Sequence, residues 1–141
     1  MELLVLIGLP ASGKSTFAKY DPYTAGWVIV SKDNLGTKAG KQDRQMRAIT
    51  SALTVGSNVV VDNCNLTAAE RAPLVALAKS FEARVAAMCF PPDLKLSIER
   101  NSLRTGKALV PEFVVRKMFR EIERPTLGEG FDEILGNWET K

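Results

Sequence analysis

The chain has 141 residues, 45% of them hydrophobic and 25% charged, with a formal net charge of +3. This composition is typical of one globular domain, the charge is too small to indicate nucleic-acid binding by itself, and two cysteines exclude a disulfide framework. No apolar run reaches membrane-spanning length, and the apolar start of the chain lacks the basic residues of a signal peptide. We therefore expect a cytoplasmic protein without a membrane partner, and we leave homo-oligomerisation open.

Apolar runs of strand length alternate with amphipathic segments of helix length. Strands are predicted at 2–7, 27–31, 58–62, 83–90 and 133–135. Helices are predicted at about 14–20, 40–55, 68–80, 92–105 and 111–124. The first four strands show little polar alternation, as in strands that are covered on both faces. The sequence thus predicts an α/β fold, a single domain over 1–141 with a parallel sheet of about five strands and helices on both faces.

The turn after the first predicted strand matches the phosphate-binding pattern G-x-x-x-x-G-K-[ST], over Gly8-Leu-Pro-Ala-Ser-Gly13-Lys14-Ser15. In such a P-loop, backbone N–H groups face phosphate oxygens, the lysine reaches the β- and γ-phosphates, and the serine hydroxyl binds Mg²⁺. The pattern lies between a strand and a helix, where a chance match is rare. We expect a P-loop NTPase-type sheet that binds ATP or another nucleoside triphosphate with Mg²⁺. The residues expected to bind the nucleotide are Gly8, Ala11, Ser12, Gly13, Lys14, Ser15 and Thr16.

Two carboxylates follow predicted strands, at the edge of a parallel sheet where ligands bind. Asp62 ends the apolar run 59–61, the position of an aspartate that holds Mg²⁺ together with Ser15; a simple Asx turn is the alternative. Asp33 follows the run 27–31 and is the candidate general base in a chain that contains no histidine. Helix N-capping is the alternative role for Asp33.

Basic residues are concentrated at 32–47 and 100–124. Arg100 and Arg104 lie four residues apart in the predicted helix 92–105, so their guanidinium groups are expected on one helix face. We predict a helical lid at about 100–111 in which these arginines stabilise a transferring phosphoryl group, with a solvated basic face as the alternative. In the next helix, the spacing of Arg116, Arg120 and Arg124 predicts an exposed charged face, with a ligand site as the alternative.

Together these motifs resemble the 5′-polynucleotide kinases, particularly the kinase module of bacteriophage and bacterial RNA-repair enzymes. The resemblance runs through the segments GLPASGKST, SKDNLG, VDNCNLTAAER, ERNSLRTGKALVP and PTLGEGFDEI. It implies transfer of the γ-phosphate of ATP to the 5′-hydroxyl end of DNA or RNA. It also implies that Asp33 is the general base and that Arg100 and Arg104 contact the donor phosphates. Lys14 completes the set of expected catalytic residues.

The sequence departs from the phage-type enzymes at Gly36, where those enzymes carry an arginine that contacts an acceptor phosphate. Nearby cations are expected to bind the acceptor strand instead: Lys32, Lys38, Arg44 and Arg47. The Asp-x-Asp motif of an attached phosphatase is absent from the sequence, so we expect a stand-alone kinase. Two other hypotheses stay open: a kinase of a small metabolite or nucleotide-sugar hydroxyl, and a non-catalytic nucleotide-binding module.

Overall fold

The computed structural model describes residues 1–35 and 39–139. Within these residues one sheet contains five strands: β1 (Glu2–Ile7), β2 (Val28–Val30), β3 (Val59–Val61), β4 (Arg84–Cys89) and β5 (Glu133–Gly136). The strands are all parallel and lie in the order β2-β3-β1-β4-β5. The predicted parallel five-stranded sheet is confirmed.

In the described ranges five α-helices connect the strands: α1 (Lys14–Tyr20), α2 (Lys41–Thr54), α3 (Ala68–Ser80), α4 (Leu94–Asn101) and α5 (Glu112–Glu121). Hydrogen bonds from side-chain oxygens fix where two of them begin. Thr67 accepts from the N–H of Glu70 at the start of α3, and Asp93 accepts from the N–H of Leu96 at the start of α4. No helix among residues 1–35 and 39–139 is long and apolar enough to cross a membrane.

The central strand β1 separates two apolar layers. Leu3, Val5 and Ile7 pack with residues of α2 and α3 on one face, and Leu4 and Leu6 pack with α1 on the other. From β1 the chain crosses to the edge strand β2, returns to β3 beside β1, and then passes to β4 and β5 on the other side of β1, so the direction of the strand order changes at β1. In open parallel sheets the ligand lies outside the carboxyl ends of the strands at such a reversal, so the fold positions a site at the end of β1.

The prediction that β2 is covered on both faces is wrong. Val28 is 39% exposed and Ile29 36% exposed, whereas Val30 is buried. The reason is topological, since β2 is the outermost strand and pairs only with β3. Only the end of β2 that leads into the site is therefore fully packed.

A buried arginine joins three segments behind the carboxyl end of the sheet. Arg71, on α3, has no exposed surface and forms a two-pronged ion pair with Glu129, at 2.9 and 3.1 Å. Its guanidinium also donates to backbone carbonyl oxygens, those of Asn65, Leu66 and Glu123. Glu129 in turn accepts from the N–H of Thr126. This network gives the segment PTLGEG, between α5 and β5, a structural role.

Candidate active site

The shape of the P-loop between β1 and α1 depends on two glycines, Gly8 and Gly13. A Cβ at Gly8 would lie 2.7 Å from Ser12 Oγ and 2.9 Å from Phe90 Cβ, closer than side chains tolerate. Gly13, directly before α1, has a φ of +100°, which favours glycine. The loop is anchored to the segment between β3 and α3, because the Gly8 N–H donates to the Cys64 carbonyl at 3.1 Å.

Lys14 lies folded over this loop and is only 8% exposed. Its ammonium donates to the carbonyl oxygen of Leu9 at 2.6 Å, to that of Gly8 at 3.1 Å and to Ser12 Oγ at 3.3 Å. None of these acceptors is a carboxylate, and among residues 1–35 and 39–139 the Lys14 ammonium forms no ion pair. The charge is therefore available to an anion that enters the loop.

Ser15 and Asp62 meet across the site. Ser15 Oγ donates to Asp62 Oδ2 at 2.7 Å, and Asp62 is 8% exposed at the end of β3. A hydroxyl and a carboxylate are oxygen ligands of the kind that Mg²⁺ prefers, and Mg²⁺ commonly binds one or two carboxylates together with substrate phosphates. The donor set beside the P-loop fits the expected ion.

Asp33 lies in a 3-10 turn over Lys32–Asn34, directly after β2. The N-cap of this turn is Ser31, whose hydroxyl accepts from the Asp33 N–H at 3.3 Å, so the alternative of Asp33 as a capping residue is wrong. The side chain of Asp33 is exposed and borders the same cleft as Lys14 and Asp62. Within the described part of the chain, no group donates a hydrogen bond to its carboxylate.

The predicted helix over 92–105 is shorter than expected, and the lid arginines do not share one helix face. Helix α4 ends at Asn101, and Arg104 lies in the loop that follows. Asn101 causes this ending: its Nδ2 donates to the Val110 carbonyl and its Oδ1 accepts from the Val110 N–H. The side chain is 4% exposed and joins the two ends of the loop 102–109.

The last turn of α4 and the loop nevertheless bring both arginines beside the P-loop. Arg100 and Arg104 line an opening beside Ala11, Gly13 and Thr16. Both side chains are exposed, and toward the described residues Arg104 donates a single long hydrogen bond, 3.5 Å to the Ala108 carbonyl. Their guanidinium groups can therefore turn toward phosphate oxygens.

A cleft of about 520 Å³ unites most of the predicted site residues. It is lined by residues of the P-loop and by charged residues of three surrounding segments, namely Lys32, Asp33, Asp62, Arg104 and Lys107. A second cavity of about 540 Å³ adjoins it and shares Lys32, Asn63, Cys64 and Met118 with it. Two connected cavities at the carboxyl ends of the strands can hold a phosphate donor beside an acceptor.

The four cations predicted to bind the acceptor separate in space. Lys32 lines both cavities. Arg44 donates to the carbonyl oxygens of Leu35 and Ala39, and the exposed Arg47 pairs with Asp43 on α2; neither residue lines a described cavity. Lys38, like Gly36, lies outside the described residues.

Three functional candidates were missed by the sequence analysis: Gln45, Asn63 and Asn101. Gln45 carried a signal, because it lies on the apolar face of α2 with Ile49 and Leu53, and it is 2% exposed. A polar residue in such a stripe must find a buried partner, and this partner is Asn63. The other two carried no local pattern.

Cys64 lies where the two cavities meet. Burial raises the pKa of its thiol, and nearby Lys14 offsets part of that increase. The thiol therefore stays protonated at neutral pH and behaves as a packing group rather than a nucleophile.

The comparisons with known proteins agree with this geometry. The profile of the AAA_33 family, described as an AAA domain, matches residues 3–125. The chain is 30% identical, over 136 residues, to the bifunctional polynucleotide phosphatase/kinase of Schizosaccharomyces pombe. That match covers 94% of this chain and 32% of the relative, so the chain spans about a third of that protein's length.

Solved structures share the fold at low identity. Kti12 of Chaetomium thermophilum, crystallised with ADP-AlF3, matches with a TM-score of 0.69 at 17% identity, over 97% of this chain and 89% of that one. A gluconokinase of Sinorhizobium meliloti matches with a TM-score of 0.65 at 19% identity, over 95% and 80% of the two chains. With the profile match over most of its length, together with its P-loop and its parallel sheet, the chain belongs to the AAA_33 family of AAA domains.

Proposed function

We propose that the protein is a polynucleotide 5′-hydroxyl kinase that uses ATP as donor. The observation that carries the proposal is the convergence of Lys14, Asp62, Asp33 and Arg104 on one cleft. A module that only binds nucleotides needs phosphate-binding groups, but it does not need a carboxylate with open acceptor atoms at the rim. The similarity to a polynucleotide phosphatase/kinase supports a nucleic-acid acceptor.

On this proposal each side chain has one task. Asp33 accepts the proton of the 5′-hydroxyl as that oxygen bonds to the γ-phosphorus and the bond from phosphorus to the ADP oxygen breaks. Lys14 and Arg104 stabilise the negative charge spread over the phosphoryl group, and Arg100 assists from the same side. The donor phosphates lie against the backbone of the P-loop. The residues proposed to bind them are Gly8, Ala11, Ser12, Gly13, Lys14, Ser15 and Thr16.

Ser15 and Asp62 are the residues that would hold Mg²⁺, which supplies charge neutralisation at the β- and γ-phosphates. The ligand pair is held in advance, because the hydroxyl and the carboxylate already lie 2.7 Å apart. An ordered pair of oxygens loses little freedom on binding, which favours catalysis by positioning.

The acceptor is proposed to enter through the second cavity and to reach Asp33 past Lys32. Lys32 is the cation that lines both cavities, so it can contact a phosphate of the acceptor strand. Lys117 and Met118 of α5 line the other side of that cavity. Because a strand crosses more than one phosphate, its affinity should depend on salt and on length.

One experiment tests the activity and its acceptor class together. The wild-type chain is incubated with γ-labelled ATP and, separately, with 5′-hydroxyl DNA, 5′-hydroxyl RNA and a panel of small alcohols. We expect label on a polynucleotide end and a fall in kcat of roughly 10²- to 10⁴-fold for Asp33→Asn, with ATP affinity preserved. Equal loss of ATP affinity in Asp33→Asn would assign Asp33 to metal binding or to structure, and no transfer to any alcohol would favour the non-catalytic module.

A small-metabolite kinase is the second candidate, and the lining of the second cavity favours it. Lys32 and Lys117 are balanced there by Glu70 and Glu121, as suits a neutral, hydroxyl-rich acceptor. A comparison of a nucleoside 3′-phosphate with 5′-hydroxyl oligomers of increasing length, at two salt concentrations, separates the candidates. A polynucleotide kinase shows an acceptor KM that drops over the first few nucleotides and a salt slope of about −0.7 per phosphate contacted. An acceptor KM that depends on neither oligomer length nor salt concentration would contradict the polynucleotide proposal.

A further inference from the structure

The turn that carries Asp33 is held by a side chain from the segment that follows the neighbouring strand β3. Asn63, the residue after Asp62, accepts a hydrogen bond from the backbone N–H of Lys32 through its Oδ1, at 2.9 Å. Its Nδ2 donates to Oε1 of Gln45, which is 2% exposed on α2. The amide of Asn63 therefore bridges the Asp33 turn and the body of the domain.

The position of the Asp33 carboxylate depends on this bridge. Within residues 1–35 and 39–139, no donor bonds that carboxylate, so its place follows from the backbone of Lys32–Asn34. That backbone is tied by two hydrogen bonds to side-chain oxygens: Lys32 N–H to Asn63 and Asp33 N–H to Ser31. Of these two oxygens, that of Ser31 belongs to the segment of the turn itself, whereas that of Asn63 belongs to the segment between β3 and α3.

The neighbouring residues Asp62 and Asn63 connect the donor and acceptor sides of the cleft. Asp62 accepts from Ser15, next to the donor phosphates, and Asn63 accepts from Lys32, next to the acceptor. The dipeptide thus sets the separation between the phosphate-binding loop and the base. A misplacement of about 1 Å between reacting groups costs on the order of 10²-fold in rate.

We propose that Asn63, oriented by Gln45, is a positioning residue that fixes Asp33 relative to the P-loop. The inference rests on the proposed role of Asp33 as general base. Gln45 accepts from the NH₂ group of Asn63, so the carbonyl oxygen faces the Lys32 N–H. Neither residue touches the reacting atoms on this proposal; both act through Asp33.

The test uses Asn63→Leu, which removes both hydrogen bonds at similar volume. We expect kcat to fall by roughly 10- to 100-fold, with the KM for ATP changed less than about twofold, because Ser15 and Asp62 are untouched. The matched control is Asn58→Leu. Asn58 Oδ1 also accepts a backbone N–H, that of Glu2 at 2.8 Å, but at the opposite end of β3. It should lower the melting temperature and leave kcat unchanged.

A double-mutant cycle separates positioning from general stabilisation. In the Asp33→Asn background, Asn63→Leu should cause no further loss of kcat, because it acts through the group already removed. An additional loss of full size would overturn the inference. Full activity of Asp33→Asn alone would instead overturn the proposed function. Should Asn63→Leu fail to fold, Gln45→Met removes the same bridge from the other side, and wild-type kcat in that variant would also contradict the proposal.

Discussion

Arg71 and Arg104 show two opposite uses of the same side chain. Arg71 is fully buried, and each of its guanidinium nitrogens donates to Glu129 or to a backbone carbonyl. Arg104 is exposed, and within the part of the chain that the structure describes its guanidinium donates one hydrogen bond, at 3.5 Å. An arginine whose donors are satisfied by the protein stabilises the fold, whereas one with open donors can bind an anion. The number of open donors, rather than the charge, separates the two roles.

The largest expected effect is the loss of kcat when Arg104, the arginine with open donors, is replaced. Arg104→Ala should lower kcat by roughly 10³-fold or more, since an arginine that stabilises a transferring phosphoryl group is worth that much. Arg104→Lys should not restore the rate, because an ammonium lacks the planar fork of donors. Steady-state kinetics with ATP and a 5′-hydroxyl oligonucleotide measure both variants, and melting temperatures should stay unchanged. Arg120→Ala, an exposed arginine of α5 that lines no described cavity, is the matched control. A fully active Arg104→Lys protein would show that charge alone suffices.

For Arg71, whose donors are all bonded within the protein, we expect a loss of stability instead of a loss of kcat. Arg71→Met should lower the free energy of unfolding by about 3–5 kcal/mol, because it leaves Glu129 without its buried partner. Denaturant titration measures the change. Arg71→Lys should not recover the stability, as one ammonium cannot reach the carboxylate and three carbonyl groups together. A stable but inactive Arg71→Met protein would give Arg71 a role in activity rather than in stability, and it would contradict the difference drawn between Arg71 and Arg104.

Asn101 lies between these extremes, because it supports the loop that carries Arg104. Asn101→Leu breaks both hydrogen bonds to the Val110 backbone, and we expect a loss of about 1–3 kcal/mol in unfolding free energy. The KM for ATP should rise as well, since the loop is no longer closed at its base. Measuring stability and KM on one preparation tests the link. A stability loss with unchanged kinetics would show that Arg104 is positioned by something other than this closure.

The smallest effect concerns the thiol of Cys89. Burial raises the pKa of Cys89 to about 11, above its ordinary value of 9.0, although Arg71 acts in the opposite direction. The unfolded thiol therefore loses its proton at lower pH than the folded one, so stability falls as pH rises from about 9 towards 11. At pH 9.5 the loss from this group should be below about 1 kcal/mol. Cys89→Ala should flatten the alkaline slope, and an identical slope in both proteins would contradict the burial argument.

The sequence predicts most of the scaffold because its signals are local. The β1 strand, α1 and α3 are found at their predicted bounds, since an apolar run, a P-loop and the capping Thr67 mark them directly. Arg71 could also have been recognised as buried, because it shares the spacing of Leu74, Val75 and Ala78 on the apolar face of α3. Its spacing, not its charge, carries the information.

Other features depend on contacts between distant residues and leave no local pattern. The early end of α4 follows from Asn101 reaching Val110, nine residues away. The bridge from Asn63 to Gln45 spans 18 residues. The exposure of β2 follows from its place at the edge of the sheet, which the order of strands along the chain does not reveal.

Because Asn101 joins the two ends of the loop 102–109, the loop should tolerate changes in length and sequence. Both ends of the loop meet at one buried side chain, so its length does not alter the spacing between α4 and α5. For a closed flexible loop, doubling the length costs only about 0.6 kcal/mol in chain entropy. Insertions near the exposed Leu103 should thus leave the sheet intact. The position of Arg104 relative to the P-loop could then be changed without altering the rest of the domain.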